Sequence, residues 1–396
     1  MRFELIKLFR QVHVKAAFLG VILLSILLGI TGAGTYSSLA DADSSTYLKG
    51  KAAFENERRK YASVSGDITI DKLNEALQYV QSCTNEWSAI ANGYEAYPGI
   101  LYLLENAYAV PDGHFTLFEI QDADDLYERM ETQIQMRMEE HGLRFSDHEM
   151  QDILAWAAKI RKPYRNEMAD PWSRFYTSFQ FVLLLNLLTA IIYASGLYSF
   201  EKTRRMDLII GTLGRHRIRR IVTDKAKALI CLAGGQYLLS MAAVSAVFFG
   251  ISGPIAWKSQ IQTLYVTSIL PLSYKELFLL SLCTGLPACL AAAFFAAAVN
   301  ARFKRSMPAM ALGAAVTFVP LVLRNFTMLS DGLMKLIQVF PVNAALVANN
   351  VNSLYLYPFP GLGMPVIYAV PAAAVLLLAA ELFCSVRMAE KYLCRD

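Results

Sequence analysis

The stretch Ala16-Ala-Phe-Leu-Gly-Val-Ile-Leu-Leu-Ser-Ile-Leu-Leu-Gly-Ile-Thr-Gly-Ala-Gly-Thr-Tyr36 decides the class of this chain. It contains no charged residue, and as a helix rising about 1.5 Å per residue it covers the ~30 Å hydrocarbon core of a bilayer. A cleaved signal peptide is the competing reading, because Arg2, Lys7, Arg10 and Lys15 precede the run and Gly32-Ala33-Gly34 supplies small residues. The run exceeds the ~7–15 residues of a signal core, so an uncleaved transmembrane helix is expected. Just before it, Leu5, Leu8, Phe9 and Val12 share one helical face, with Arg2, Lys7 and Arg10 elsewhere. That pattern predicts a helix lying along the inner membrane surface.

Downstream of this span the chain is polar to about Arg174, then apolar in blocks to Val386. Hydrophobic residues make up 55% of the 396 and charged residues only 18%, too apolar a balance for a soluble chain of this length. Asp170-Pro171 looks like an N-cap followed by proline in the first helical position, opening a second span that runs to about Tyr198. Further spans are expected from about Ala226 to Gly250, Leu277 to Val299, Pro308 to Leu323 and Pro365 to Val386. The expected fold is an all-α polytopic membrane protein with six transmembrane helices plus a helical extracellular domain. Its parts are residues 1–37 (interfacial helix and first span), 38–174 (extracellular domain) and 175–396 (spans two to six, with a cytoplasmic loop at 199–225). The connections Ile251 to Tyr274 and Arg324 to Met364 are rich in proline and aromatics, which predicts short helices at the outer interface, with Trp257, Tyr355 and Tyr357 at headgroup level.

Net charge is +4, yet residues 38–174 hold 14 Lys/Arg against 24 Asp/Glu, so the remainder is strongly basic. The basic excess falls in the N-terminal segment, in Lys202 to Lys227, in Arg302-Lys304-Arg305 and in the tail with Arg387, Lys391 and Arg395. A six-span topology puts all four on one side, which the positive-inside rule makes cytoplasmic, with the acidic domain outside and both termini inside. The same rule accounts for these cations without nucleic acid as a partner.

Within the acidic domain, Leu73, Ala76, Leu77, Val80, Trp87 and Ile90 follow helical spacing, with Thr69 or Asp71 as N-cap. Pro98-Gly99 opens a short apolar helix through Leu101 and Leu104, and another helix is expected from about Asp122 to Gly142. Ser146-x-x-Glu149 forms a capping box for a helix carrying Ile153, Leu154, Trp156 and Ala157 before Pro163. These elements predict a bundle of four or five helices. Cys83 is the domain's lone cysteine, so no internal disulfide supports it.

The loop after the second span reads Tyr198-Ser-Phe-Glu201-Lys202-Thr-Arg204-Arg205-Met-Asp207-Leu-Ile-Ile-Gly211-Thr-Leu213-Gly214-Arg215-His216-Arg217-Ile-Arg219-Arg220, then continues to Asp224-Lys225. A helix leaves the membrane at Glu201, breaks near Gly211 and Gly214, and re-enters through an arginine-rich turn. In this pattern the chain resembles the permease subunits of type-2 ATP-binding-cassette (ABC) exporters. There a coupling helix carries a glutamate followed by basic residues, a Gly-x-x-Leu-like step, a break, a basic turn and a lysine opening the third span. Glu201, Lys202, Arg204, Arg205, Gly211, Leu213, Arg215 and Lys225 fill those positions, and Pro271-Leu-Ser-Tyr before the fourth span also looks like that family. Many members have proline at the break, where this chain has Gly214.

The resemblance implies that two partner ATPase subunits bind ATP and magnesium, while a second permease, identical or related, completes the assembly. Glu201 and the arginines would contact the ATPase. This chain has no G-x-x-x-x-G-K-[ST] and is expected to bind no cofactor and to be no enzyme itself. Membrane lipid and a hydrophobic or amphipathic cargo, lipid-like or a membrane-active peptide antibiotic, are the other partners implied. A sensor or mechanotransmission protein, or a non-transporting scaffold or receptor, is the alternative.

Other constellations are weaker. Glu139-Glu140-x-x-x-Arg144 matches the E-E-x-x-x-R string of CAAX-type intramembrane proteases, but an i,i+4 pair on a solvated helix explains it. His141, Asp147 and His148 lack the spacing of an H-E-x-x-H metal site. Inside the spans, Asn186, Gln236 and Asn300 are expected to make helix–helix contacts, and Glu381 to sit near the inner edge, snorkelling or pairing with Arg387. Asn186, Gln236 and Glu381 are also the residues that would line a pathway. So few intramembrane carboxylates argue against proton- or sodium-driven transport.

Overall fold

The computed structural model describes residues 1–40, 46–83, 86–110, 117–140, 145–203, 206, 212–326 and 329–393, leaving aside the side chains of 86–90, 140, 202–203 and 392–393. In chain order the helices are α1 (Arg2–Phe9), α2 (Val12–Gly34), α3 (Lys51–Val64), α4 (Ile70–Gln81), α5 (Glu86–Ala96), α6 (Ile100–Ala107), α7 (Leu126–Glu140) and α8 (Asp147–Ala157). They continue as α9 (Pro171–Ser195), α10 (Phe200–Thr203), α11 (Arg215–Ser252), α12 (Tyr274–Phe303), α13 (Ser306–Leu323), α14 (Asp331–Gln338), α15 (Val347–Val351) and α16 (Val366–Leu393). Six of them, α2, α9, α11, α12, α13 and α16, are long and apolar enough to cross a bilayer. The protein is therefore an all-α polytopic membrane protein. Helix α1 and the end of α16 lie on one side, called here the terminal side, and the described residues between 38 and 170 lie on the other, the domain side.

Span boundaries follow the apolar runs within a few residues, except at α11 and α16. The first of these starts at Arg215, well before the expected Ala226, because the basic residues there are themselves good helix formers and extend the span as a helical stalk. The other extends past Val386 to Leu393 for the same reason. At the N-terminus the chain turns between α1 and α2, at Arg10-Gln11. Leu8 is buried there, while Val12 falls on the far side of the break and is 80% exposed, so it leaves the face shared by Leu5 and Leu8.

Small residues let the first span pack closely. Ser25, Gly29 and Ala33 recur every four residues and are buried, the spacing that brings transmembrane backbones together. A Cβ at Gly29 would sit 3.0 Å from the Val244 carbonyl oxygen and from Val247 Cβ, and one at Gly32 2.3 Å from Ser178 Oγ. Gly29→Leu is expected to push α2 off α11 and lower stability by about 1–3 kcal/mol, read as a fall in the thermal midpoint of the purified protein. An unchanged midpoint would contradict this packing.

At the domain-side end the second, third and fourth spans meet around Trp172, which is wholly buried. Its ring lies 4.9 Å from Trp257, 5.4 Å from Tyr274, and 5.6 Å from each of Phe175, Tyr176 and Phe249. The indole Nε1 donates to the Ala256 carbonyl at 3.0 Å. Trp257, expected at headgroup level, thus serves half-buried in this aromatic cluster.

The domain is helical, with six helices among its described residues rather than four or five. Helix α3 is the unexpected one: charged residues crowd it, and only Ala53, Phe54, Asn56, Tyr61 and Val64 face inward. The helix expected from Asp71 to Ile90 divides into α4 and α5, and Thr69 Oγ1 caps α4 by accepting from Lys72 N at 3.4 Å. The capping box of Ser146 and Glu149 forms as expected. Helix α7 begins at Leu126, later than Asp122, and ends at Glu140, while Gly142 lies outside the described residues. Strands β1 (Ser37–Leu39) and β2 (Tyr47–Lys49), and β3 (Gly66–Asp67) and β4 (Arg165–Asn166), pair antiparallel where the chain enters and leaves the domain.

The connections after the third and fifth spans hold the domain from below. Arg58 donates to Ser252 O (2.6 Å), Tyr102 to Leu264 O (3.1 Å), Arg137 to Asn352 O (2.7 Å) and Trp156 to Gly363 O (2.7 Å). Gly363 N donates in turn to Asp152 Oδ2 at 2.8 Å, and Lys335 pairs with Glu149 at 2.7 Å. Short helices appear in the second connection as expected, at α14 and α15.

Candidate functional site

On the terminal side, the residues that follow the second span converge on one buried carboxylate. Glu201 lies on α10, a single helical turn after α9, and is 2% exposed. Its Oε2 accepts from Lys225 Nζ and its Oε1 from Lys7 Nζ, both at close range. Lys225 also donates to Leu197 O at 2.9 Å, and Lys7 reaches Glu4 at 3.2 Å. Burial alone would raise the Glu201 carboxyl; the Lys225 and Lys7 ammonium groups outweigh it and hold its pKa below the ordinary glutamate value.

A second clamp lies one turn earlier. Asn300, near the end of the fourth span, is wholly buried, and its Oδ1 accepts from the backbone of Tyr198 (2.8 Å) and Ser199 (3.0 Å). Its Nδ2 donates to Ser199 Oγ at 3.0 Å and to Arg305 O at 3.3 Å. The segment leaving the second span is thereby tied to α1 through Lys7, to α11 through Lys225 and to α12 through Asn300. Arg219 on α11 pairs with Glu390 on α16 at 3.4 Å, bringing in the sixth span.

Of the residues singled out in this loop, Glu201 and Lys225 are brought into contact with each other and are buried. The physical reason is mutual: each neutralises a charge that the other's helix could not bury alone. Leu213 is half-buried against the core, whereas Arg215 is exposed at the start of α11. Lys202's side chain, Arg204, Arg205 and Gly211 lie outside the described residues. Beyond Arg215, the side chains of Arg217, Arg219 and Arg220 are exposed, while Ile218 and Val222 are buried one turn apart, so the stalk shows a basic face and seats an apolar one. Sequence reasoning missed Lys7 as a partner of Glu201, since 194 residues separate them. The only available signal was its position on the polar side of an amphipathic segment.

The intramembrane polar residues form a self-contained network. Asn186 Nδ2 donates to Ser240 Oγ (2.7 Å) and Val182 O (2.8 Å), and Gln236 Nε2 to Thr189 Oγ1 (2.6 Å) and Asn186 Oδ1 (3.2 Å). Tyr193 closes it by donating to Gln236 Oε1. Asn186 and Gln236 thus join the second and third spans, the contact role expected of them. Glu381 does not pair with Arg387, whose guanidinium lies 5.0 Å from the Phe383 ring centre; its Oε2 is buried without a hydrogen-bond partner among the described residues.

Glu139 is exposed, while the Glu140 side chain and Arg144 lie outside the described residues, as does His141. His148 Nδ1 approaches Asp152 Oδ2 at 3.3 Å, and among the described residues no group of three potential ligands gathers for a metal. Comparison with known proteins returns no match of any kind: no family model, no curated protein and no solved structure.

Proposed function

We propose that this chain is the membrane-spanning permease subunit of an ATP-driven ABC exporter. The observation that carries the reading is the terminal-side junction, where the segment Tyr198 to Glu201 is tied to α1, α11 and α12 while the adjoining stalk exposes Arg215, Arg217, Arg219 and Arg220. A force applied to that basic face reaches α9, α11, α12 and α1 together through the Glu201 triad and Asn300. Coupling of this kind is mechanical, so the chain needs no catalytic residue; ATP and magnesium belong to two partner ATPase subunits. Exposed arginines suit an acidic rim on such a partner, where charge fixes register as much as strength.

In this reading the terminal side faces the cytoplasm of a bacterial cell and the acidic domain faces outward, in line with the distribution of Lys and Arg. A second permease, identical or related, completes the assembly. The polar groups between the second and third spans are saturated by one another, which favours an amphipathic cargo, a lipid-like compound or a membrane-active peptide, over an ion.

The test is Arg215→Glu/Arg217→Glu in the complex with its ATPase. The expected result is loss of cargo-stimulated ATP hydrolysis by at least about tenfold, with the variant still inserted and monodisperse on size exclusion. Unchanged stimulation would overturn the proposal.

A further inference from the structure

The domain and the start of the second span line an open cleft of about 550 Å³ whose lining combines tyrosines with carboxylates. Tyr36, just before β1, and Tyr47, on β2, line it with Tyr61 from α3 and Tyr94 and Tyr102 from α5 and α6. Among the described residues its acidic groups are Glu57, Glu95 and Asp170, and its one basic side chain, Lys60, is already engaged, 3.5 Å from Glu57 and donating to Leu39 O at 3.1 Å.

Asp170 is the telling residue. Placed before Pro171 it reads as a helix cap, yet it sits in helical conformation (φ −50°, ψ −37°) and its side chain makes no capping bond. No hydrogen bond or ion pair to its carboxylate is present among the described residues. Its side chain is exposed at the open side of this cleft, with Tyr36, Tyr61 and Tyr102 among the residues that line it. A carboxylate with no donor beside it, on the wall of a cleft, attracts a positive ligand. Aromatic faces beside a carboxylate are the recognised chemistry for an organic cation.

We propose that this cleft binds a hydrophobic organic cation, an ammonium or similar centre with an apolar body, held by Asp170 and the surrounding tyrosine rings. A volume of 550 Å³ suits a medium-sized organic molecule rather than a bare ion. The site stands independently of the export reading, since binding to the isolated chain needs no ATPase.

Desolvation by the surrounding protein, with Glu57 adding to it, raises the Asp170 carboxyl from 3.8 to about 6. The sign follows directly: above pH 6 the group is ionised and attracts the cation, and below it the proton competes. The other charged groups facing this space are Glu57 and Lys60 from α3, Glu95 from α5 and Arg174 one turn further along α9.

The experiment uses tetraphenylphosphonium and tetraphenylborate, ions of one shape and opposite charge, titrated into the purified full chain in a neutral detergent, with detergent alone as the blank. The phosphonium is expected to bind at least about tenfold more tightly than the borate. Asp170→Asn is expected to weaken phosphonium binding about tenfold and to abolish the further weakening seen in the natural chain between pH 7.5 and 5. Tyr47→Ala, at a side chain 62% exposed and so harmless to folding, is expected to weaken it severalfold. Equal binding of the two ions, or phosphonium affinity unchanged in both variants, would overturn the proposal.

Discussion

Glu201→Ala is expected to destabilise the protein by about 3–5 kcal/mol, a loss typical of breaking a buried ion pair from one side. The variant leaves the Lys225 ammonium, 1% exposed, with the Leu197 carbonyl at 2.9 Å and the Tyr198 ring, 5.5 Å from its centre, as neighbours but with no counter-charge on Glu201. Lys7 suffers less, because Glu4 stays within 3.2 Å. The double variant Glu201→Leu/Lys225→Met removes both buried charges and is expected to recover most of the loss, since two apolar side chains need no partner. Thermal and denaturant unfolding in detergent measure both. Additive losses in the double variant would show that the two groups act separately. The pH dependence has a definite sign. A carboxyl whose folded pKa lies below its unfolded value of about 4.3 contributes fully above that value. The contribution drains away as pH falls through the folded pKa, and Glu201→Ala should flatten that part of the acid limb.

Trp172→Ala should cost a comparable ~3–5 kcal/mol, the range for deleting a large buried aromatic ring. Rings from three spans and from the loop after the third close on this indole, so the cavity left behind cannot collapse without moving a helix. Trp172→Phe separates the two contributions. It keeps an aromatic ring in the cluster but strands the Ala256 carbonyl, for an expected loss of about 1–2 kcal/mol. Unfolding midpoints rank the three proteins, and an alanine variant no worse than the phenylalanine one would remove Trp172 from its central place.

The spans were legible because an apolar run of sufficient length has one structural use, and residues 16–36 announce it within twenty-one positions. The capping box at Ser146 was legible too, being a local pattern with a local cause. Helix α3 was not: its inward positions are too few among Glu55, Glu57, Arg58, Arg59 and Lys60 to impose a visible period, and it is helical because the domain packs on it. At the candidate site, the sequence marks Glu201 and Lys225 as residues of interest, but their outward role was the natural reading of charged residues in a loop. That they face each other, and that Lys7 joins them, depends on helices being folded together across the chain. Asp170 holds the N-cap position before Pro171 that the sequence marks, but its side chain makes no capping bond, which local pattern alone does not reveal.

The hydrogen bonds that tie the domain to Ser252, Leu264, Asn352 and Gly363 also impose an order on synthesis. The domain leaves the ribosome before any of those acceptors exists, and the last of them is made only as the sixth span begins. Until then Trp156 and Asp152 have no Gly363 to bind, so the domain docks fully only after the connection that follows the fifth span has been made.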